Sequence, residues 1–352
     1  MTRWTALACA VALAAGLHAV AAADTLPTRD TRPAPGFTSA WRKASATTVG
    51  VFGIDDPLTR AARIGGDGAP ARVGAGFFVD AHGHVATSAH LVAGAQQVLV
   101  RLPDDRYAEA TLVGVDETTD VAVLSVPGVQ IAPVLGSTAP LRPGDWVLTI
   151  GEPYGLRRSL SAGIVGGIDR HFREDGEVLF IQSDAALNPG NSGGPLVDAD
   201  GNIIGMNART IAGVAGTSGL SLSVPIEIVS QVVRELIARD ASPRPRLGAT
   251  FDDLSAEQAF EAGPAVYGGA VVVTEVARVG IARRMGLRAG DLILQVDDRP
   301  IRDSADLVHT LLGWRADEKT HVVVLRDDRL QRLRLDTAMA RESQAWRSGS
   351  PR

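Results

Sequence analysis

The sequence predicts a mostly β protein in two parts: a long region of short strands closing into a barrel or sandwich, then a small module of mixed α and β. Three observations carry this. From Thr48 onward, short apolar runs are split by Gly, Asp and Pro: Val49–Ile54, Gly74–Val79, Val98–Leu102, Val121–Val126, Trp146–Ile150 and Val178–Ile181. Strands of this length at this spacing belong to all-β architectures. The first long helical period comes late, where Pro225-Ile226-Glu227 opens a stretch in which Ile228, Val229, Val232, Val233, Leu236 and Ile237 recur at helical spacing. Pro suits the first turn of a helix. Finally, Asp240–Arg246 is dominated by Pro, Arg and Ser, a linker composition.

The chain has 352 residues, a net charge of −5 and one cysteine. That length suits about two domains. So mild a charge gives no reason to expect nucleic acid as a partner. Met1–Ala23 reads as a secretory signal peptide cut near Ala23: Arg3 supplies the positive start, Leu7–Val20 is apolar, and Ala21-Ala22-Ala23 supplies small residues before Asp24. The other reading is an uncut anchor, for which the apolar run is short. Cys9 falls inside this segment, so the exported chain has no cysteine and no disulfide.

Asp24–Gly36 holds three prolines and no apolar period and reads as a flexible lead. Phe37 and Trp41 follow it. Two readings stand for them: they cap the first strand, or they pack on a neighbouring subunit. The first, strand-rich region is expected over 37–239 and the second module over 247–337. In the module, Val271–Val276 and Leu292–Val296 read as strands and Asp297–Pro300 as a turn. Ser304 caps a helix through Leu312, and Val322–Leu325 with Leu330–Leu335 forms a closing pair. The tail from Ala338 is polar and expected to be disordered.

The chemistry gathers at Asn188-Pro189-Gly190-Asn191-Ser192-Gly193-Gly194-Pro195-Leu196. Glycines permit backbone angles that a Cβ forbids, so the loop can aim several N–H groups at one point and hold a developing oxyanion. Gly190, Asn191 and Ser192 are the candidates, with the Ser192 hydroxyl as nucleophile. The letters also read as G-x-S-x-G, but that motif needs a helix after the serine. Here Gly-Gly-Pro, an apolar run and the turn Asp198–Asn202 follow, which is strand and hairpin chemistry. A serine nucleophile needs a base. His82, His84 and His90 cluster without a cysteine or an acidic ligand at metal spacing, so a zinc site is not expected. His82 and His84 flank a Gly and read as solvated turn residues, while His90 follows a strand. Asp120 opens the run Val121–Leu124, where it would be drawn inward and need a partner; an imidazole is one that it would orient.

His90, Asp120 and Ser192 come in the chain order of chymotrypsin-like barrels. With Thr87-Ser88-Ala89-His90, Thr119-Asp120-Val121-Ala122-Val123-Leu124, Gly74–Val79, Gly190–Leu196 and Gly219–Pro225 around them, the chain resembles the HtrA/Deg serine proteases from about Phe37 through Ala338. The second module resembles a PDZ domain, with Leu247-Gly248-Ala249 matching its carboxylate loop and Gly286–Asp291 a later signature. The resemblance implies a chymotrypsin-like double β-barrel followed by one peptide-binding domain. It implies a periplasmic endopeptidase acting on unfolded or damaged proteins, peptide C-termini as PDZ partners, and a homotrimer or larger cage. The triad would be His90, Asp120 and Ser192, with Leu187, Leu220, Ser221 and Leu222 beside the substrate and no metal or cofactor. Asp184 is expected outside the specificity pocket. The rival reading is a non-proteolytic chaperone or scaffold that holds unfolded chains. Three positions depart from the family pattern: Ser88 and Glu152, where Asn is common, and Arg246, which replaces an aromatic residue.

Overall fold

The computed structural model describes residues 36–55, 72–153, 157–211, 220–238, 247–312 and 320–335. The expected signal peptide, linker and tail lie outside the described residues. The chain divides into a leading unit, residues 1–37, and a large unit, residues 38–352, which holds every element that follows.

Trp41 lies on a helix, α1 (Thr38–Ser45), which buries Ala40 and Ala44 and runs into the first strand. The Ala44 carbonyl accepts from the hydroxyls of Thr47 and Thr48 at 3.0 and 2.9 Å, so the helix stops there and a strand begins. That strand is β1 (Thr48–Ile54). It is followed by β2 (Arg72–Phe78), β3 (His84–Ser88), the single turn α2 (Ala89–Val92), β4 (Gln97–Arg101), β5 (Tyr107–Asp116) and β6 (Val121–Ser125). The six strands close into a barrel in the order β1-β2-β3-β6-β5-β4. Val49, Val51, Phe78, Val85, Val100 and Leu124 fill it. β-branched and aromatic residues on alternating positions are what a closed sheet can bury.

The second barrel repeats the scheme. It contains β7 (Trp146–Gly151), β8 (Ser159–His171), β9 (Leu179–Ser183), β10 (Pro195–Asp198), β11 (Ile203–Thr210) and β12 (Ser221–Pro225), closed as β7-β8-β9-β12-β11-β10. Its core is Val147, Val165, Ile181, Leu196 and Ile204. Helix α3 (Ile226–Ile237) then runs back across β5, β6 and β11, as its apolar period requires. Its first-turn Glu227 accepts from Ser137 Oγ, Thr138 N and Thr138 Oγ1 at 2.8–2.9 Å, pinning the connection between the barrels.

The last module is a sheet ordered β13-β14-β15-β17-β18, from β13 (Ala249–Asp253), β14 (Val271–Val276), β15 (Leu292–Val296), β17 (Thr320–Arg326) and β18 (Arg329–Leu335), with the two-residue β16 (Arg299–Pro300) beside β15. Three helices accompany it: α4 (Ala256–Ala262), α5 (Ile281–Met285) and α6 (Ser304–Leu312). One expectation is corrected here. Ser304 does not cap α6; the Asp303 carboxylate does, accepting from Asp306 N at 2.8 Å, while the buried Ser304 Oγ has no partner among the described residues. Asp303 stands just before the first helical residue, the position from which a side-chain oxygen meets the open N–H of the third. His84 also departs from the turn reading. It opens β3, half-buried, with Nδ1 2.6 Å from the Asp80 carboxylate. Burial pushes that carboxylate up, but hydrogen bonds from His84 and His82 hold it below the usual range.

Candidate active site

His90 and Asp120 come from the same barrel. β3 ends at Ser88, and the single turn α2 swings the His90 ring out of the barrel wall. Asp120, just before β6, takes φ of 54°, a left-handed angle that Asp tolerates better than most residues. That angle lets one residue hold the neighbouring segment at three points. Its carbonyl accepts from Ala89 N at 2.8 Å, Oδ1 accepts from His90 N at 2.8 Å, and Oδ2 lies 2.7 Å from His90 Nδ1. A carboxylate there requires the ring proton on Nδ1, which leaves the Nε2 lone pair free to accept a proton. Asp120 is only partly drawn inward: its side chain is 34% exposed and that of His90 53%.

Ser192 comes from the second barrel. Asn191 N donates to Asn188 O at 2.9 Å, closing a tight turn, and Gly190 takes φ of 106° within it. A positive φ at that corner is the type II signature and calls for glycine. The loop is then tied on three sides. Gly193 N donates to Asn207 O and Asn207 N to Gly194 O, both at 2.8 Å; Ala75 N donates to Ser192 O at 2.9 Å; and Glu152 N donates to Gly190 O at 3.0 Å. At Gly193, with φ of 80°, a Cβ would overlap the Ala75 carbonyl and Ser88 N. The glycine is therefore needed both for its angle and for the close approach of β2 and β3. Among the described residues, the N–H groups of Gly190 and Ser192 donate to nothing. Two unpaired main-chain donors side by side on a tightly held loop are unusual unless a ligand is meant to meet them.

The Ser192 hydroxyl donates to Ala208 O at 3.3 Å and makes no hydrogen bond to His90. Ala208, on β11, carries no reactive group, so nothing in the sequence marked it. Asn207 was also missed, although a polar residue after the apolar Ile203–Met206 is a signal. It is fully buried, donates through Nδ2 to Pro195 O at 3.1 Å, and accepts from Ser223 Oγ at 3.1 Å. Asn191 Nδ2 donates to Ala186 O at 3.4 Å.

The residues expected beside the substrate are spread differently. Leu187 is half-buried, Leu220 is 40% exposed, and Ser221 is buried with its hydroxyl on Ala185 O at 2.7 Å. Leu222 lies fully buried within the barrel. Asp184 is exposed, and its carboxylate accepts from Ile164 N at 2.6 Å, tied to β8. In the last module, Leu247 is buried, Gly248 takes φ of 74°, and Ala249 opens β13 opposite Val276. Leu247, Met285, Leu287, Ile293, Leu307 and Leu311 line part of a cavity of about 260 Å³.

Two six-stranded barrels, with His and Asp on one and a glycine-braced serine on the other, define a trypsin-like peptidase. Residues 74–206 match the trypsin-like peptidase domain, and residues 245–337 match the PDZ domain. The chain is 39% identical over 264 residues to a protein named probable periplasmic serine endoprotease DegP-like from Ectopseudomonas mendocina (strain ymp), covering 75% of this chain and 56% of that one. It is 40% identical over 242 residues to the protein of the same name from Halomonas elongata, covering 68% and 51%. Among solved structures, it superposes on the HtrA-type protease AlgW with tripeptide at a TM-score of 0.71 and 32% identity, covering 86% of this chain and 96% of that one. A serine endoprotease from Yersinia pestis follows at 0.58 and 25%, covering 86% and 97%. The chain belongs to the HtrA family of serine proteases. It spans about half the length of the curated relatives it matches.

Proposed function

We propose that this chain is a serine endopeptidase that cleaves unfolded or damaged proteins. One observation carries the reading: an Asp-oriented His90 on one barrel, with Ser192 and two unpaired main-chain donors on the other. Ser192 attacks the peptide carbonyl after its hydroxyl turns from Ala208 O towards His90. His90 Nε2 takes the proton and returns it to the leaving amine, while Asp120 stabilises the imidazolium. The N–H groups of Gly190 and Ser192 receive the oxyanion, with Asn191 bracing the loop.

The relatives are named periplasmic, and Met1–Ala23 has the makings of a signal peptide, so the same reading places the chain in the periplasm after a cut near Ala23. The module from Leu247 binds peptide C-termini, whose carboxylate would meet N–H groups of the Leu247-Gly248-Ala249 loop. The family resemblance supports a homotrimer or a larger assembly. A chaperone that only holds chains would have no use for the unpaired donors of Gly190 and Ser192.

Digestion of an unfolded, casein-like protein beside Ser192→Ala tests this. Hydrolysis should fall by about 10⁴-fold or more, as when a triad acts as a unit, with the fold unchanged. A folded Ser192→Ala protein that still cuts would refute the assignment.

A further inference from the structure

One buried ion pair joins the two barrels behind the serine loop and has no part in the chemistry described above. Arg101 ends β4 in the first barrel, and Glu152 follows β7 in the second. Arg101 Nε donates to Glu152 Oε1 at 3.0 Å and a terminal guanidinium nitrogen pairs with Oε2. The side chains are 11% and 1% exposed. The carboxylate lies where a side chain would stand on Gly50 of β1: a Cβ there would overlap it. The Arg101 guanidinium also lies over the Phe52 ring, 5.8 Å from its centre.

Glu152 touches the serine loop through its own backbone. Its N–H donates to the Gly190 carbonyl at 3.0 Å, and its carbonyl packs so closely that a Cβ on Gly190 would overlap it. With the turn from Asn188 on the other side, these contacts brace Gly190 at φ of 106°, where its N–H is unpaired among the described residues. A buried pair is a poor way to gain stability, because desolvation offsets most of the attraction, and an apolar pair of the same volume commonly serves as well. What the charged pair adds is direction: a planar, two-pronged bond fixes the carboxylate, and with it the backbone of residue 152. Burial pushes the Glu152 carboxyl up, while Arg101 and, more weakly, Arg158 pull against it.

We propose that the Arg101–Glu152 pair is a positioning device for the oxyanion site, through which the first barrel holds the Gly190 peptide in its reactive orientation. This rests on the serine-protease reading above. The pair touches no substrate, so its loss should lower kcat and leave KM nearly alone.

The test compares wild type, Glu152→Gln and the double variant Arg101→Met/Glu152→Met, which keeps the volume without the directed bonds. An uncharged fluorogenic peptide gives kcat and KM, and a fluorophosphonate gives the labelling rate of Ser192. The double variant should melt within a few degrees of wild type, while Glu152→Gln, which leaves the Arg101 guanidinium buried without its counter-charge, should stay folded but melt lower. Their kcat and labelling rate should fall about 10- to 100-fold, with KM changed less than about threefold. Folded variants that cleave and label like wild type would overturn the positioning role alone. Variants whose KM rises with kcat unchanged would overturn it too. A wild type that neither cleaves nor labels would remove the protease reading and the positioning role with it.

Discussion

The main-chain N–H of Leu247 donates to the carboxylate of Glu177 at 2.8 Å. Glu177 belongs to the β8–β9 connection of the second barrel, and Leu247 opens the loop proposed to receive a peptide's terminal carboxylate. Next to this bond, Arg173 pairs with Asp252, and the His171 ring stacks on Phe251 with centres 4.8 Å apart. An acidic side chain therefore stands on a donor that an incoming C-terminus would need.

Replacing that side chain should open the loop. Glu177→Gln removes the charge and keeps the size. A hydrogen bond to a charged group is worth about 1.5–3 kcal/mol before solvent screening, so peptide affinity should improve roughly three- to tenfold. Fluorescence anisotropy with a labelled peptide bearing a free C-terminus reads this directly, with an amidated peptide as control. Equal affinities for the two proteins would contradict it.

The pair His309–Asp169, 3.2 Å apart, joins α6 to β8. The Asp169 carboxylate bonded to His309 holds that imidazole above the ordinary histidine range, against the opposing effect of burial. Its folded pKa is raised, so its contribution is full below the unfolded value of about 6.5 and is lost as pH rises through the folded one. Melting temperature should therefore drift down more for wild type than for His309→Gln as pH increases across that window. Both groups are well exposed, so the drift should be small. Parallel curves would show that the pair contributes nothing.

Gly193→Ala should be among the most damaging single changes. It forces a Cβ onto a residue at φ of 80° and against the Ala75 carbonyl. Backbone strain of this kind is worth about 1–3 kcal/mol before the clash is counted. A fall in melting temperature together with loss of Ser192 labelling is expected; a variant as stable and reactive as wild type would show that the loop can relax.

Cleavage should follow uncharged residues of small or medium size. Asp184, the acid that opens the segment expected beside the pocket, is held on Ile164 N, and an unpaired Lys or Arg in a neutral pocket would be costly to desolvate. Mass spectrometry of a digested unfolded protein decides it. A majority of cuts after Lys or Arg would mean that Asp184 leaves β8 for the pocket.

Much of this was legible before any coordinates. The strands with strong apolar runs and the late helix stand where the sequence put them, because burial on one face leaves a local record. β8 left none: burial alternates over residues 159–167, but the inward positions are Ser, Gly and Val and the outward ones include Leu160 and Ile164, so apolarity does not follow it. α1 was missed because its buried face is only two alanines. His90, Asp120 and Ser192 are each a weak signal alone, and they stand out only as a set in the chain order of chymotrypsin-like barrels. Ala208 and Glu177 could not be picked out, since their importance comes only from which distant atom each meets. Glu152 showed only as a departure from a family pattern; its partner Arg101 gave no sign at all.

The split of the site between the barrels has a consequence for each half on its own. Helix α3, which follows both barrels in the chain, lies back on β5 and β6 of the first, and the Ser192 carbonyl accepts from Ala75 N of that same barrel. On the protease reading proposed above, neither half would be a working blade by itself: the edge exists only where the two are locked together.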